Sequence, residues 1–169
     1  MKYERHQGGA ALPKVECINP RAGKWLVRWD YQPHYNEDGE EDGVTFVEQT
    51  FLHKPTLDEI KEVILEYTNA QIDMNIASGF VWNGKPVWLS MENQFNFKAV
   101  CDKAVKKNGE NLPVKFKLGQ DANGNPVYHT FESVEELSAF VDQGEDYVHR
   151  CVTEGWDFKD SIDWSEYEI

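Results

Sequence analysis

The sequence predicts an α+β fold. It would consist of three β-hairpin–helix units, with an antiparallel or mixed sheet (or sheets) and helices packed on one face. Three observations lead there. A short phrase occurs twice, as Asn83-Gly84-Lys85-Pro86-Val87-Trp88 and as Asn123-Gly124-Asn125-Pro126-Val127-Tyr128, each time between two apolar, strand-like runs. Helix-start signals follow each pair of runs: Thr56-Leu57-Asp58-Glu59 and Ser133-Val134-Glu135-Glu136 have capping-box form, and Ser90 is an N-cap residue. Behind each signal, apolar residues recur at helical spacing. A two-stranded hairpin is marginal alone, so the three units are expected to share one core.

The totals set the class. With 169 residues, 40% hydrophobic and 13% aromatic, the chain is globular rather than disordered, and residues 1–155 read as a single domain. The net charge of -13 argues against binding nucleic-acid phosphates or an anionic membrane surface. It suits solubility, a basic protein partner or mimicry of a nucleic acid. The three cysteines, Cys17, Cys101 and Cys151, are odd in number and lack a CxxC pair, which points to reduced thiols and a cytoplasmic setting. No apolar run reaches bilayer length, and residues 1–12 show no signal-peptide core.

Taken in order, residues 1–24 read as an irregular arm with one short strand around Val15 to Ile18. Residues 25–76 form the first unit. Trp25, Val27, Trp29 and Tyr31 alternate onto one strand face, an acidic loop over 36–43 reverses the chain, and 44–52 returns. Leu57, Ile60, Ile64, Tyr67 and Met74 then mark a helix over 57–76. The second unit covers 79–109. Asn83-Gly84 suits a type I′ turn, Trp82 and Trp88 are placed to pair across it, and Phe97, Val100, Cys101, Ala104 and Val105 stripe a helix that Gly109 ends. The third covers 113–155. Val114, Phe116 and Leu118 alternate, the chain turns through 120–125, and Leu137, Val141, Gly144, Val148 and Cys151 mark a helix ending at Gly155. Residues 156–169 interleave aromatic and acidic residues. Such an arm either packs over its own domain or docks on another subunit, and Trp156, Phe158, Ile162, Trp164 and Tyr167 are its candidate partner-binding residues.

Motifs for chemistry are sparse. There is no GxSxG, HExxH or CxxC, and the five histidines are scattered without an evident partner, so catalytic, cofactor and metal sites are all expected to be absent. Asp121, Asn123, Asn125 and Glu132 imitate part of a calcium loop, but Pro126 stands where that loop needs glycine, and a polar hairpin turn is the better reading. The Trp25, Trp29, Tyr31 stripe is a candidate sugar or base platform, against the plainer reading of a core face.

One resemblance adds a setting. Gly79-Phe80-Val81-Trp82-Asn83-Gly84, then Leu89-Ser90, Asn93-Gln94-Phe95-Asn96, Val114-Lys115-Phe116-Lys117, the turn at Gly124, Phe131-Glu132-Ser133 and the final helix together resemble an uncharacterised domain of phage and prophage proteins, found near tail fibres and their assembly factors. The resemblance covers about 79–155. It implies a non-enzymatic structural or accessory protein that contacts other phage proteins in tail or virion assembly, located in the bacterial host cytoplasm or on the virion. It implies no catalytic residue. Its partners would be other phage structural or assembly proteins, with no nucleic acid and no membrane, and a homo-oligomer stays open. The alternatives are an acidic DNA-mimic inhibitor of a DNA-binding enzyme, or a carbohydrate- or ligand-binding module using exposed aromatics.

Overall fold

The computed structural model describes residues 3–9 and 12–169, so part of the expected N-terminal arm (1–2 and 10–11) lies outside the described residues. The fold is α+β, with antiparallel strand pairs and three helices, each helix following a hairpin. The chain divides into two compact units, Met1–Thr68 with Ser161–Ile169, and Asn69–Asp160. Each carries its own cluster of buried apolar residues. The single pooled core expected from the sequence is therefore corrected to two.

In the first unit, β1 (Arg5–Gly8), β2 (Val15–Asn19), β3 (Lys24–Tyr35) and β4 (Glu41–Phe51) form one antiparallel sheet in the order β1-β4-β3-β2. The N-terminal stretch thus contributes two strands rather than one. At the β3–β4 reversal, the Asn36 Oδ1 accepts from the backbone N–H of Asp38 (3.0 Å) and Glu40 (2.9 Å), and Gly39 takes a φ of +79°. Helix α1 (Leu57–Ser78) begins with the expected capping box: the Thr56 N–H donates to Glu59 Oε2 at 2.8 Å, and the Glu59 N–H donates to Thr56 Oγ1 at 3.3 Å. Ile60, Ile64 and Tyr67 of α1 pack on Val27, Trp29 and Val47. Met74 does not belong to this buried stripe and is exposed.

The aromatic stripe of β3 is interrupted. Trp29 pairs with Val47 and Gln32 with Thr45, so two residues, Asp30 and Tyr31, face one on β4. This is a β-bulge, and Asp30 sits in it at a φ of +53°. The extra residue moves Tyr31 to the opposite face of the sheet, where its ring lies 5.6 Å from Phe46 beside Arg28. Trp29 stays in the core. The expected common face of Trp25, Val27, Trp29 and Tyr31, and the platform it would make, are corrected by that one insertion.

The second unit holds the rest of α1 from Asn69, then β5 (Phe80–Trp82), β6 (Lys85–Val87), α2 (Met91–Lys106), β7 (Val114–Gln120), β8 (Pro126–Phe131) and α3 (Val134–Asp160). Asn83 (φ +48°) and Gly84 (φ +74°) both take positive angles in the two-residue turn, as a type I′ turn requires. Trp82 lies across from Lys85, not from Trp88, because the two-residue turn sets the register 82↔85, 81↔86, 80↔87, in which Trp88 would fall opposite Gly79. The expected cross-strand tryptophan pair is absent: Trp82 is buried and Trp88 is half-exposed outside the ladder. Between β7 and β8, Asp121 Oδ1 accepts from the N–H groups of Asn123 (2.9 Å) and Asn125 (2.8 Å), and Gly124 has a φ of +81°. The same device closes the β3–β4 hairpin at Asn36.

Phe140 is the hub of this core. Its ring centroid lies 5.0 Å from Phe131, 5.1 Å from Phe97 and 5.2 Å from Trp82. Val105, expected in the buried stripe of α2, is exposed instead. Helix α3 does not stop at Gly155 but runs to Asp160. Gly155 is there for contact: a Cβ at that position would overlap Ile72 Cδ1 and Cγ1.

Candidate functional site

The expected C-terminal site residues separate into two groups. Ile162 and Trp164 pack against the first unit's core, and Tyr167 is 4% exposed within it. Lys14 pairs with Glu166 and lies over the Tyr167 ring at 5.1 Å, Lys61 lies over the Trp164 ring at 5.7 Å, and the Lys54 ammonium donates to the main-chain oxygen of Ile169 at 3.0 Å. Segment 161–169 is therefore a strap on its own unit, since its aromatic residues are already covered. Trp156 and Phe158 belong to α3 and are exposed, at 59% and 47%.

The larger exposed apolar surface is one the sequence reading did not assign. On the first turns of α2, Met91 is 86% and Phe95 73% exposed, four residues apart and therefore neighbours on one helix face. The helix is oriented by the expected Ser90 cap, whose Oγ accepts from the Asn93 N–H at 3.3 Å, and by the Gln94 side chain, which donates to the Leu89 carbonyl at 2.7 Å. Phe95 forms one wall of an apolar groove of about 230 Å³ between α2 and α3. Gly144 and Val148 of α3 also line it. Lys98 and Glu145 pair across its lip at 3.5 Å, and Glu145, with Asp102, raises the Lys98 pKa. The sequence signal was present in the spacing of Met91, Phe95 and Lys98, but a helical stripe alone does not say which face stays uncovered.

A second feature gathers titratable groups. The His129 ring sits edge-on to Trp82 and Phe131, at 4.9 and 4.6 Å. The Lys85 ammonium is 2.9 Å from Nδ1, and Nε2 is 2.8 Å from Glu136 Oε1. An ammonium only donates, so Nδ1 accepts and the ring proton lies on Nε2, directed at the carboxylate. The hydrogen bond from His129 lowers the Glu136 pKa. With both ring nitrogens engaged, neither is free to take a proton from a substrate, and the arrangement pins β6, β8 and the start of α3 together. Among the described residues, no group of three or more His, Cys, Asp or Glu side chains is disposed to hold a metal ion. The Asp121 carboxylate serves its own turn, with Oδ1 taking two backbone N–H groups and the Asn125 side chain donating to Oδ2 at 3.1 Å, and these bonds lower its pKa. No described helix is long and apolar enough to cross a membrane.

Comparison with protein-family models, with curated proteins and with solved structures finds no match to this chain.

Proposed function

We propose that this protein is a non-enzymatic structural or accessory component of a phage or prophage, working through protein–protein contacts in tail or virion assembly. The single observation that carries the contact role is the exposed Met91–Phe95 pair beside the apolar groove of the second unit. Isolated exposed apolar residues are ordinary, whereas an exposed Phe95 lining an apolar hollow with a charged rim, with the exposed Met91 one helical turn before it, has the anatomy of a binding hot spot. The groove has room for one large apolar side chain of a neighbouring assembly protein, which the Lys98–Glu145 lip would frame. The phage setting is supported by the resemblance of residues 79–155, which fall within the second unit, 69–160.

The test is co-expression with the products of the genes adjoining its own. The expected result is a complex that survives size exclusion and that Phe95→Asp weakens by about 30-fold or more, the scale of a hot-spot residue. Phe95 is exposed, so the variant keeps the thermal midpoint of the parent. Failure of every neighbouring product to bind, or binding indifferent to Phe95→Asp, contradicts the reading.

A further inference from the structure

The strands β6 and β7 part company after a single link, and the space that opens is a second site. Trp88 donates its N–H to the Leu118 carbonyl at 2.7 Å. Beyond that bond lies a hollow of about 640 Å³, within the range of small-molecule pockets. Gly119 makes the approach of the two strands possible, since a Cβ there would stand 2.7 Å from the Pro86 carbonyl oxygen. The half-exposed Trp88 ring and the Pro86 ring supply an apolar wall. Around them stand Lys117, Gln120, Asn93 and Asp121.

The bonding state of these groups indicates what the hollow takes. Among the described residues, neither the Lys117 ammonium nor the Gln120 carboxamide has a protein partner. Asn93 uses its Nδ2 on the Trp88 carbonyl at 2.8 Å, which leaves its Oδ1 as an acceptor. Asp121 Oδ2 accepts one bond from Asn125 and retains a lone pair. A peptide adding as a strand finds little to pair with, because Pro86 has no N–H and both backbone groups of Trp88 are in use. A polyanion finds one ammonium with a carboxylate on the same rim. What remains is an aromatic face surrounded by mixed donors and acceptors of no net charge. That kit fits a ring with an apolar C–H face and several hydroxyls. We propose that this hollow binds an uncharged pyranose sugar, stacked on Trp88 and hydrogen-bonded by Gln120, Asn93, Lys117 and Asp121.

The proposal is independent of the α2 groove, which shares no residue with this hollow. It is tested on the full chain by following backbone and indole N–H resonances during titration with methyl glucoside, methyl galactoside, methyl mannoside and glucuronate, each to about 50 mM. The expected result is saturable, millimolar binding of at least one neutral glycoside, with shifts centred on Trp88 and 117–121. Trp88→Ala is expected to weaken it at least tenfold, and Gln120→Ala severalfold. Both side chains are exposed, so an unchanged thermal midpoint shows that the variants are folded. No saturable binding by any neutral glycoside, binding that survives Trp88→Ala, or tighter binding of glucuronate than of every neutral glycoside would each overturn the assignment.

Discussion

Tyr67 donates its hydroxyl to the Asp30 carboxylate across 2.6 Å, tying helix α1 to the bulge in β3. Arg5 pairs with the same carboxylate and also reaches the Asp30 carbonyl at 2.9 Å. A non-glycine residue at a positive φ is kept only where its surroundings hold it, and these partners do so.

That bond has an alkaline signature. Burial, and then the hydrogen bond to Asp30, push the Tyr67 pKa up to about 12, while burial also takes Tyr147 to about 12 and raises Tyr31 and Tyr167. A raised folded-state pKa means that the neutral phenol is the form the fold prefers. The stability it contributes is complete below pH 10 and is lost as the pH rises from about 10 to about 12. Phenolate absorbance against pH is expected to show four of the seven tyrosines ionising late, in step with unfolding. Tyr67→Phe removes one late transition and costs about 1.5–3 kcal/mol, the scale of a bond to a charged group. All phenols titrating near pH 10 in a folded protein would contradict this.

The capping box of α1 has an acid signature. Glu59 accepts from the Thr56 N–H and hydroxyl and meets the His53 ring at 2.9 Å. The Thr56 backbone bond foremost, then its hydroxyl and His53, lower the Glu59 pKa to about 2. Its contribution is therefore present above its ordinary pKa of 4.5 and fades as the pH falls toward about 2. Glu59→Ala is expected to melt below the parent at pH 7, with the gap closing between pH 4.5 and 2. A gap constant over that range would show that the charge plays no part.

Two glycines of the second unit are expected to respond with opposite signs. Alanine at Gly119 brings its Cβ to 2.7 Å from the Pro86 backbone oxygen, which cannot swing aside like a side chain, so Gly119→Ala is expected to cost about 1–3 kcal/mol. Alanine at Gly144 finds only ordinary contacts, Phe80 at 3.8 Å and Leu89 at 3.9 Å, inside a helix. Gly144→Ala is therefore expected to stabilise by about 0.5–1 kcal/mol. Urea unfolding of the two variants checks the pair, and equal shifts of the same sign would contradict it.

The strap is expected to be structural. Tyr167→Ala should cost the first unit about 3 kcal/mol, in line with other buried aromatic truncations. Removing 161–169 should speed hydrogen exchange in β3 and β4 by exposing Val27, Trp29 and Val47. Unchanged exchange in those strands would return the segment to the role of a free docking arm.

What was legible in the sequence followed from local chemistry. The Thr56–Glu59 capping box, the Ser90 cap and the Asn83-Gly84 turn act within a few residues, and each appears where it was expected; at Ser133 only half of the box forms, since Ser133 Oγ accepts from the Glu136 N–H while the Glu136 carboxylate goes to His129 and the Glu132 N–H. Strand β1 was not legible, because Arg5-His6-Gln7 offers no apolar alternation and is ordered only by pairing with β4. The bulge at Asp30 leaves no mark in the alternation of β3 and exists only in register with its partner. Gly155 reads as a helix stop, yet it is a packing glycine whose neighbour, Ile72, lies far away in the chain. The phrase repeated near 83 and 123 does mark two reversals. The structural twin of the second is the unlike-looking Asn36-Glu37-Asp38-Gly39-Glu40, which shares only an Asx side chain and a glycine three positions on. Of the candidate sites, Trp156 and Phe158 were flagged and are exposed, whereas the Phe95 groove and the Trp88 hollow depend on how α2, α3, β6 and β7 meet.

The contact role is tested most directly by hydrogen exchange on the complex with the neighbouring assembly protein. New protection is expected at residues 91–98 and 144–148, with little change over 161–169. Protection centred on 161–169, with the face around Phe95 still exchanging freely, would contradict it.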